Sequence, residues 1–186
     1  MHIKTGIEDL VVLKMQSKLI IVDLLDNEIG SDTKLFVHEN SVLHRAFSVF
    51  IISDNKMLLQ KRAEDKYHSG GLWTNACCSH PRYGEELHVA VERRLIDELN
   101  IKCSVEEIDS FVYFAEFESV CEYEYDHVFL GTYNGMIEPN PEEISEIKWM
   151  DIEEVQKDIL ENPAVYTKWF VTALPIVIKH IKNSGV

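Results

Sequence analysis

Residues 73–81 read WTNACCSHP, which sets Cys77 and Cys78 side by side with His80 two positions on. The segment is short and ends at proline, so a brief strand or turn is predicted. The chain has four cysteines, the others being Cys103 and Cys121, and two of the four stand together here. A structural pair, a metal-ligand pair and a catalytic thiol all fit the spacing. Adjacent cysteines bond to each other only with strain, and four scattered cysteines do not make the dense framework of a small secreted domain. Reduced thiols are expected.

Basic residues flank this stretch. Lys61, Arg62 and Lys66 precede it, and Arg82, Arg93 and Arg94 follow it. The whole chain carries 18 basic against 32 acidic residues, a net charge of -14. That field repels nucleic acid and anionic membranes, so neither is expected as a partner. A local basic excess in so acidic a chain fits an anion site, and arginine suits phosphate through its bidentate fork. A patch that merely aids solubility would look the same.

The 186 residues, 46% hydrophobic and 27% charged, suit one soluble globular domain. No run of about 18 apolar residues suggests a membrane span. The first residues, MHIKTGIEDLVVLKMQSK, lack the apolar core and cleavage site of a signal peptide, so a cytoplasmic protein is expected. KLIIVDLLDN (Lys18–Asn27) reads as a strand entering a turn. FSVFIIS and KMLLQKR read as strands joined through Asp54 and Asn55 in a hairpin.

GEELHVAVERRLIDELNI (Gly84–Ile101) is predicted to be a helix, because Leu87, Ala90, Val91, Leu95 and Leu99 repeat at the spacing of one buried face. Arg94 and Glu98 fall inside that face. They form either an i, i+4 ion pair at its edge or part of a site, since charge in an apolar stripe is costly unless paired or used. SFVYFAEFE, YEYDHVFLGTYNG and EIKWMD read as further strands. Asp151–Leu160 reads as a helix, and NPAVYTKWFVTALPIVIKHI as a last helix interrupted or kinked at Pro175. This pattern predicts a mixed α/β fold.

His38, His44, His80, Glu122 and Glu124 form the sharpest constellation. Two glutamates two residues apart on a strand share one face, and such like charges call for a cation between them. Imidazole with carboxylate suits zinc, manganese or iron better than calcium. Taken singly, each histidine fits an ordinary surface or core position, and an acidic pair fits a solvated face.

In order along the chain, HRAFSVF, LLQKRAEDKYHSGGLWTNACCSHP, ERRLIDELNI and EYEYDHVF resemble the type 1 isopentenyl-diphosphate isomerases, a branch of the Nudix superfamily. The resemblance runs from about Lys34 to Trp169, and TNACCSHP with EYE at the right separation makes it specific. It implies a Nudix-type α/β/α sandwich with a mixed sheet, in a single domain spanning 1–186. That domain would have an N-terminal extension of about residues 1–30, a motif core over about 34–150 and C-terminal helices over about 151–183.

The activity implied is the reversible conversion of isopentenyl diphosphate to dimethylallyl diphosphate, by a monomer or weak homodimer. Cys78 aligns with the family's catalytic cysteine, and Cys77 with a packed neighbour. The resemblance makes Glu124 the second acid/base group, and Tyr113 matches a catalytic-site aromatic beside it. His38, His44, His80, Glu122 and Glu124 match ligands of a manganese or zinc ion, although the spacing of His38 to His44 varies in the family. Glu98 matches the ligand of a magnesium ion that also touches the diphosphate. Lys34, Arg62, Lys66 and Arg94 match diphosphate contacts, and Trp169 an aromatic beside the reacting carbons. A thiol close to bound cations is expected to be reactive.

The family's hydrolases end their helix in REUxEExGU, with U aliphatic, where this chain has RRLIDELNI. Arg94, Asp97 and Asn100 replace two glutamates and a glycine, which weakens a water-activating site and favours isomerase over hydrolase. Moving a double bond through a tertiary carbocation needs two acid/base groups on opposite faces of the substrate. A diphosphohydrolase on the same fold, which would release phosphate, is one rival. A non-catalytic module with Cys78 and His80 as structural zinc ligands is another, and it would unfold on chelation.

Overall fold

The computed structural model describes residues 17–184. Among these residues, nine strands make one mixed sheet. They are β1 (Lys18–Val22), β2 (Glu28–Thr33), β3 (His44–Ser53), β4 (Lys56–Arg62), β5 (Trp73–Thr74), β6 (Cys77–Ser79), β7 (Val105–Glu116), β8 (Cys121–Thr132) and β9 (Ile144–Asp151). The helices among the described residues are α1 (Lys34–Glu39), α2 (Leu87–Leu99), α3 (Ile152–Glu161) and α4 (Lys168–Ser184).

The β3–β4 hairpin organises the sheet. Asp54 and Asn55 both take left-handed φ, 48° and 61°, the conformation of a tight two-residue turn. The strands pair only at Ile52–Met57 and Ser53–Lys56 and then splay apart. From there β3 runs parallel to β8 from His44–Glu124 to Ile52–Thr132, while β4 pairs with β9. The short strands fill the opening, β6 against β3 and β5 against β4. The functional cleft opens in this fork.

Strand alternation divides the core in two. Phe50, Ile52, Met57, Leu59, Val128 and Leu130 pack under α3 and α4. Phe47, Val49, Ile51, Leu58 and Phe129 pack under α2. The result is an α/β/α sandwich. On α2, Ala90, Val91, Leu95 and Leu99 are buried, and each of the last three contributes about 1.5–3 kcal/mol. Asn100 ends the helix at φ 55°, the left-handed conformation usually given to glycine.

Several elements differ from expectation. The strand expected over Lys18–Asn27 is present as β1 but ends at Val22, with Leu19, Ile20 and Val22 buried; those residues of the expected N-terminal extension that precede Ser17 lie outside the described residues. Strand β2 and helix α1 were not anticipated. Thr33 caps α1 by accepting a hydrogen bond from the Phe36 amide at 3.3 Å. The last helix starts at Lys168, later than its pattern suggests. Tyr166 and Thr167 are held instead by β5, with the Thr167 amide bonded to the Trp73 carbonyl at 3.0 Å. Pro175 does not interrupt α4, and its ring faces outward. Among the described residues, no helix is long and apolar enough to cross a membrane.

Candidate active site

The adjacent cysteines part ways. Successive residues of β6 face opposite sides of the sheet. Cys77 is fully buried in the core beneath α2, whereas Cys78 packs toward the α4 side and lines a cleft of about 100 Å³. Asn75 fixes this register: its side-chain amide donates to the Val49 carbonyl at 3.1 Å and to that of Cys77 at 2.6 Å. Thr167 donates to Thr74 and Thr74 to Asn75, both at 2.8 Å, so the start of α4 is tied to the cysteine strand.

His38 from α1, His44 from β3, His80 after β6, and Glu122 and Glu124 from β8 converge, with one donor atom from each lying within 4.8 Å of every other. Two of the imidazoles, those of His38 and His44, are set for ligation. Nδ1 of His38 lies 2.6 Å from the Lys34 carbonyl, and Nδ1 of His44 lies 2.8 Å from that of Val42. A carbonyl only accepts, so each Nδ1 carries the proton and each Nε2 presents a lone pair. Both Nε2 atoms and the Glu122 Oε2 are buried without a hydrogen-bond partner. Their nearest carboxylate oxygens stand at 3.5 and 3.6 Å, too far to bond. Orphaned buried acceptors of this kind are costly unless a cation completes them, and a divalent ion fits the set.

The basic residues sort themselves. Lys61 pairs with Glu64 at 3.6 Å and Arg93 with Glu85 at 2.7 Å, while Lys34, Arg62, Lys66 and Arg94 line the cleft. Arg62 lies 5.2 Å from the centre of the Trp169 ring, and its Nε is buried without a partner. Arg94 and Glu98 form the i, i+4 pair at 2.5 Å, and both also line the cleft. The Gln60 amide donates to the other Glu98 oxygen at 3.1 Å. Lys66 bonds Glu143, which also stands 3.5 Å from Arg94. Trp169 is both core and wall: it is 4% exposed among the α4 residues and still lines the cleft.

Electrostatics separates the acid/base candidates. Burial pushes the Cys78 thiol up to about 12; Arg62 opposes this, and Glu98, Glu124 and Asp126 reinforce it. Without a bound cation, burial therefore favours the protonated thiol at neutral pH. Burial also works against the Glu124 carboxylate, but hydrogen bonds to it, that from the Tyr113 hydroxyl among them, hold its pKa below the ordinary range. The Tyr113 hydroxyl donates to Oε2 at 2.6 Å, and His80 Nε2 lies 2.7 Å from Oε1. Burial and the Glu124 charge keep the Tyr113 phenol protonated.

Sequence reasoning did not pick out His68, Tyr67, Ser48, Gln60, Glu143 or Asp126. Asp126 had a signal, since it continues the alternation of Glu122 and Glu124 on β8. It is buried, accepts from Ser48 at 2.8 Å, and is kept protonated by burial and by Glu124. A larger apolar groove of about 470 Å³ lies between α3 and α4, but it contains none of these residues.

Fold and cleft define a NUDIX domain, and the NUDIX family profile matches residues 42–170. Within that class the chain belongs to the isopentenyl-diphosphate Delta-isomerase family. It is 43% identical over 162 residues to the isopentenyl-diphosphate Delta-isomerase of Serratia proteamaculans, covering 86% of this chain and 90% of that one. It is 47% identical over 159 residues to isopentenyl-diphosphate Delta-isomerase 2 of Photorhabdus laumondii, covering 84% and 89%. Solved structures agree on the fold. A Deinococcus radiodurans crystal structure matches with a TM-score of 0.71 at 18% identity, over 85% of this chain and 97% of that one. A MutT NUDIX hydrolase from Burkholderia pseudomallei matches at 0.59 and 19%, over 73% and 98%.

Proposed function

We propose that this chain interconverts isopentenyl diphosphate and dimethylallyl diphosphate, adding a proton at one carbon and removing one from another. The observation that carries the reading is that the Cys78 thiol of β6 and the Glu124 carboxylate of β8 line one small cleft together with four cationic side chains. Lys34, Arg62, Lys66 and Arg94 bind the diphosphate, and Arg62 and Arg94 can do so through bidentate forks. Cys78 Sγ and the Glu124 carboxylate are the acid/base pair, with Tyr113 holding Glu124 in place. A reversible isomerase needs one proton shared between such a pair, and passes between the state with the thiol protonated and its converse.

His38, His44, His80, Glu122 and Glu124 would hold a manganese or zinc ion, and Glu98 a magnesium ion beside the diphosphate. Such ions supply fixed positive charge that keeps neighbouring carboxylates ionised and oriented. The reading extends to a cytoplasmic monomer or weak homodimer without nucleic-acid or membrane partners, as the net charge of -14 favours.

The hydrolase alternative is disfavoured by α2. Of its carboxylates only Glu98 lines the cleft, and it is already paired with Arg94; the Asp97 side chain is 48% exposed. Incubation with isopentenyl diphosphate and magnesium, followed by NMR, decides between them. Dimethylallyl diphosphate is the expected product, and inorganic phosphate without it would overturn the proposal.

Trp169 gives a graded test. A carbocation against an indole face gains roughly 2 kcal/mol when desolvated. That charge exists only near the transition state, so it affects rate more than binding. Trp169→Phe is expected to lower kcat about ten- to a hundredfold with a modest change in KM. Unchanged kcat with a lower melting temperature would leave Trp169 only its core role.

A further inference from the structure

His68 lies in the loop between the basic residues Arg62 and Lys66 and the cysteine strand, and the acid/base and diphosphate roles above leave it unused. We infer that His68 is a positioning residue that fixes the orientation of Glu122 toward the three metal-facing imidazoles. The inference rests on the metal site proposed above.

The geometry runs through both glutamate oxygens. His68 Nε2 lies 2.6 Å from Glu122 Oε1, and an ionised carboxylate only accepts, so Nε2–H is the donor. With Oε1 satisfied, the unpartnered Oε2 is the oxygen facing His38 Nε2, at 3.5 Å. His68 is not one of the five converging ligands; its Nε2 is committed to the carboxylate behind them.

The ring has little freedom to leave. It stacks on Phe117 with centroids 4.5 Å apart, meets Tyr67 edge-on at 4.5 Å and Trp169 edge-on at 6.0 Å. Ser69 Oγ lies 3.1 Å from Nδ1, where its hydroxyl can donate and hold the Nε2–H tautomer. The backbone is fixed as well. Ser69 adopts a φ of 53°, rare for a residue with a side chain, and the His68 carbonyl accepts a long bond from Arg62 at 3.4 Å. Such partners of ligating groups typically govern metal affinity by ten- to a hundredfold.

The test is Co²⁺ affinity without substrate, by competition with a chelating dye, in wild type, His68→Phe and His68→Gln. Phenylalanine keeps a ring for the aromatic contacts and removes the donor; glutamine keeps an N–H donor and removes the ring. His68→Phe is expected to bind Co²⁺ about ten- to a hundredfold more weakly, and His68→Gln to recover a large part of that loss. Wild-type affinity in His68→Phe, or equal losses in both variants, would overturn the inference. Absence of Co²⁺ binding in wild type would overturn the metal site itself. Should the phenylalanine variant fail to fold, nitrogen-15 NMR of the Zn²⁺-loaded wild type decides. The Nε2–H tautomer of His68 is expected, and the Nδ1–H tautomer sinks the inference.

Discussion

Cys78→Ala is expected to lower isomerisation by about a thousandfold or more while leaving fold and metal content near those of wild type, since a positioned acid/base group is worth about 10²–10⁴. No other thiol can stand in. Cys77 is the sequence neighbour, but the strand turns it away into the core beneath α2. Cys77→Ala should therefore keep most of its turnover and lose stability instead, on the order of 1 kcal/mol. Equal loss of turnover in both single variants would remove Cys78 from its role. The same burial predicts the thiol's behaviour toward alkylating agents. With a pKa pushed up to about 12, little thiolate exists at neutral pH in the metal-free protein, so alkylation of Cys78 should be slow there. Only the thiolate is nucleophilic, so the rate should climb with pH up to about that value. Fast alkylation at neutral pH would show that the site lowers the thiol's pKa.

The hairpin and the helix were legible because their patterns are local. Asp54-Asn55 between two branched runs is a turn signal that depends on nothing distant, and the apolar spacing on α2 marks its buried face directly. Arg94 and Glu98 were legible as an anomaly, because charge in an apolar stripe needs a reason. The cleft itself was less so. Strands β5 and β6 have two and three residues, too few for any alternation to show, and their places come from Asn75 and Thr74 reaching partners far along the chain. The β2 sequence, EIGSDT, is polar and becomes a strand by pairing with buried β1. His68 has no periodic signature at all, and its contact with Glu122 exists only once β8 is laid beside β3. The late start of α4 has the same origin: Tyr166 and Thr167 are needed by β5, and Pro163 sits in a short turn before them.

Glu124→Gln is expected to lose both metal and turnover, with kcat down by about 10⁴, at the upper end for an acid/base group. The amide is nearly the same shape, so the loss can be read as chemistry. Glutamine has one acceptor oxygen where Glu124 uses two, toward Tyr113 at 2.6 Å and His80 at 2.7 Å. One of those contacts must then face an N–H donor. An amide also ligates a divalent ion more weakly and cannot take up a proton at neutral pH. Glu122→Gln separates these roles, since Glu122 joins the imidazole cluster without contacting Tyr113. It should lose mainly metal, and saturating metal should restore much of its turnover. Under the same saturation Glu124→Gln should remain at least about a hundredfold below wild type, because refilling the site does not return the proton acceptor. Metal occupancy and kcat, measured together across a metal titration of both variants, check this. Equal rescue of the two would mean that Glu124 acts only as a ligand, and that the second acid/base group must be sought elsewhere in the cleft.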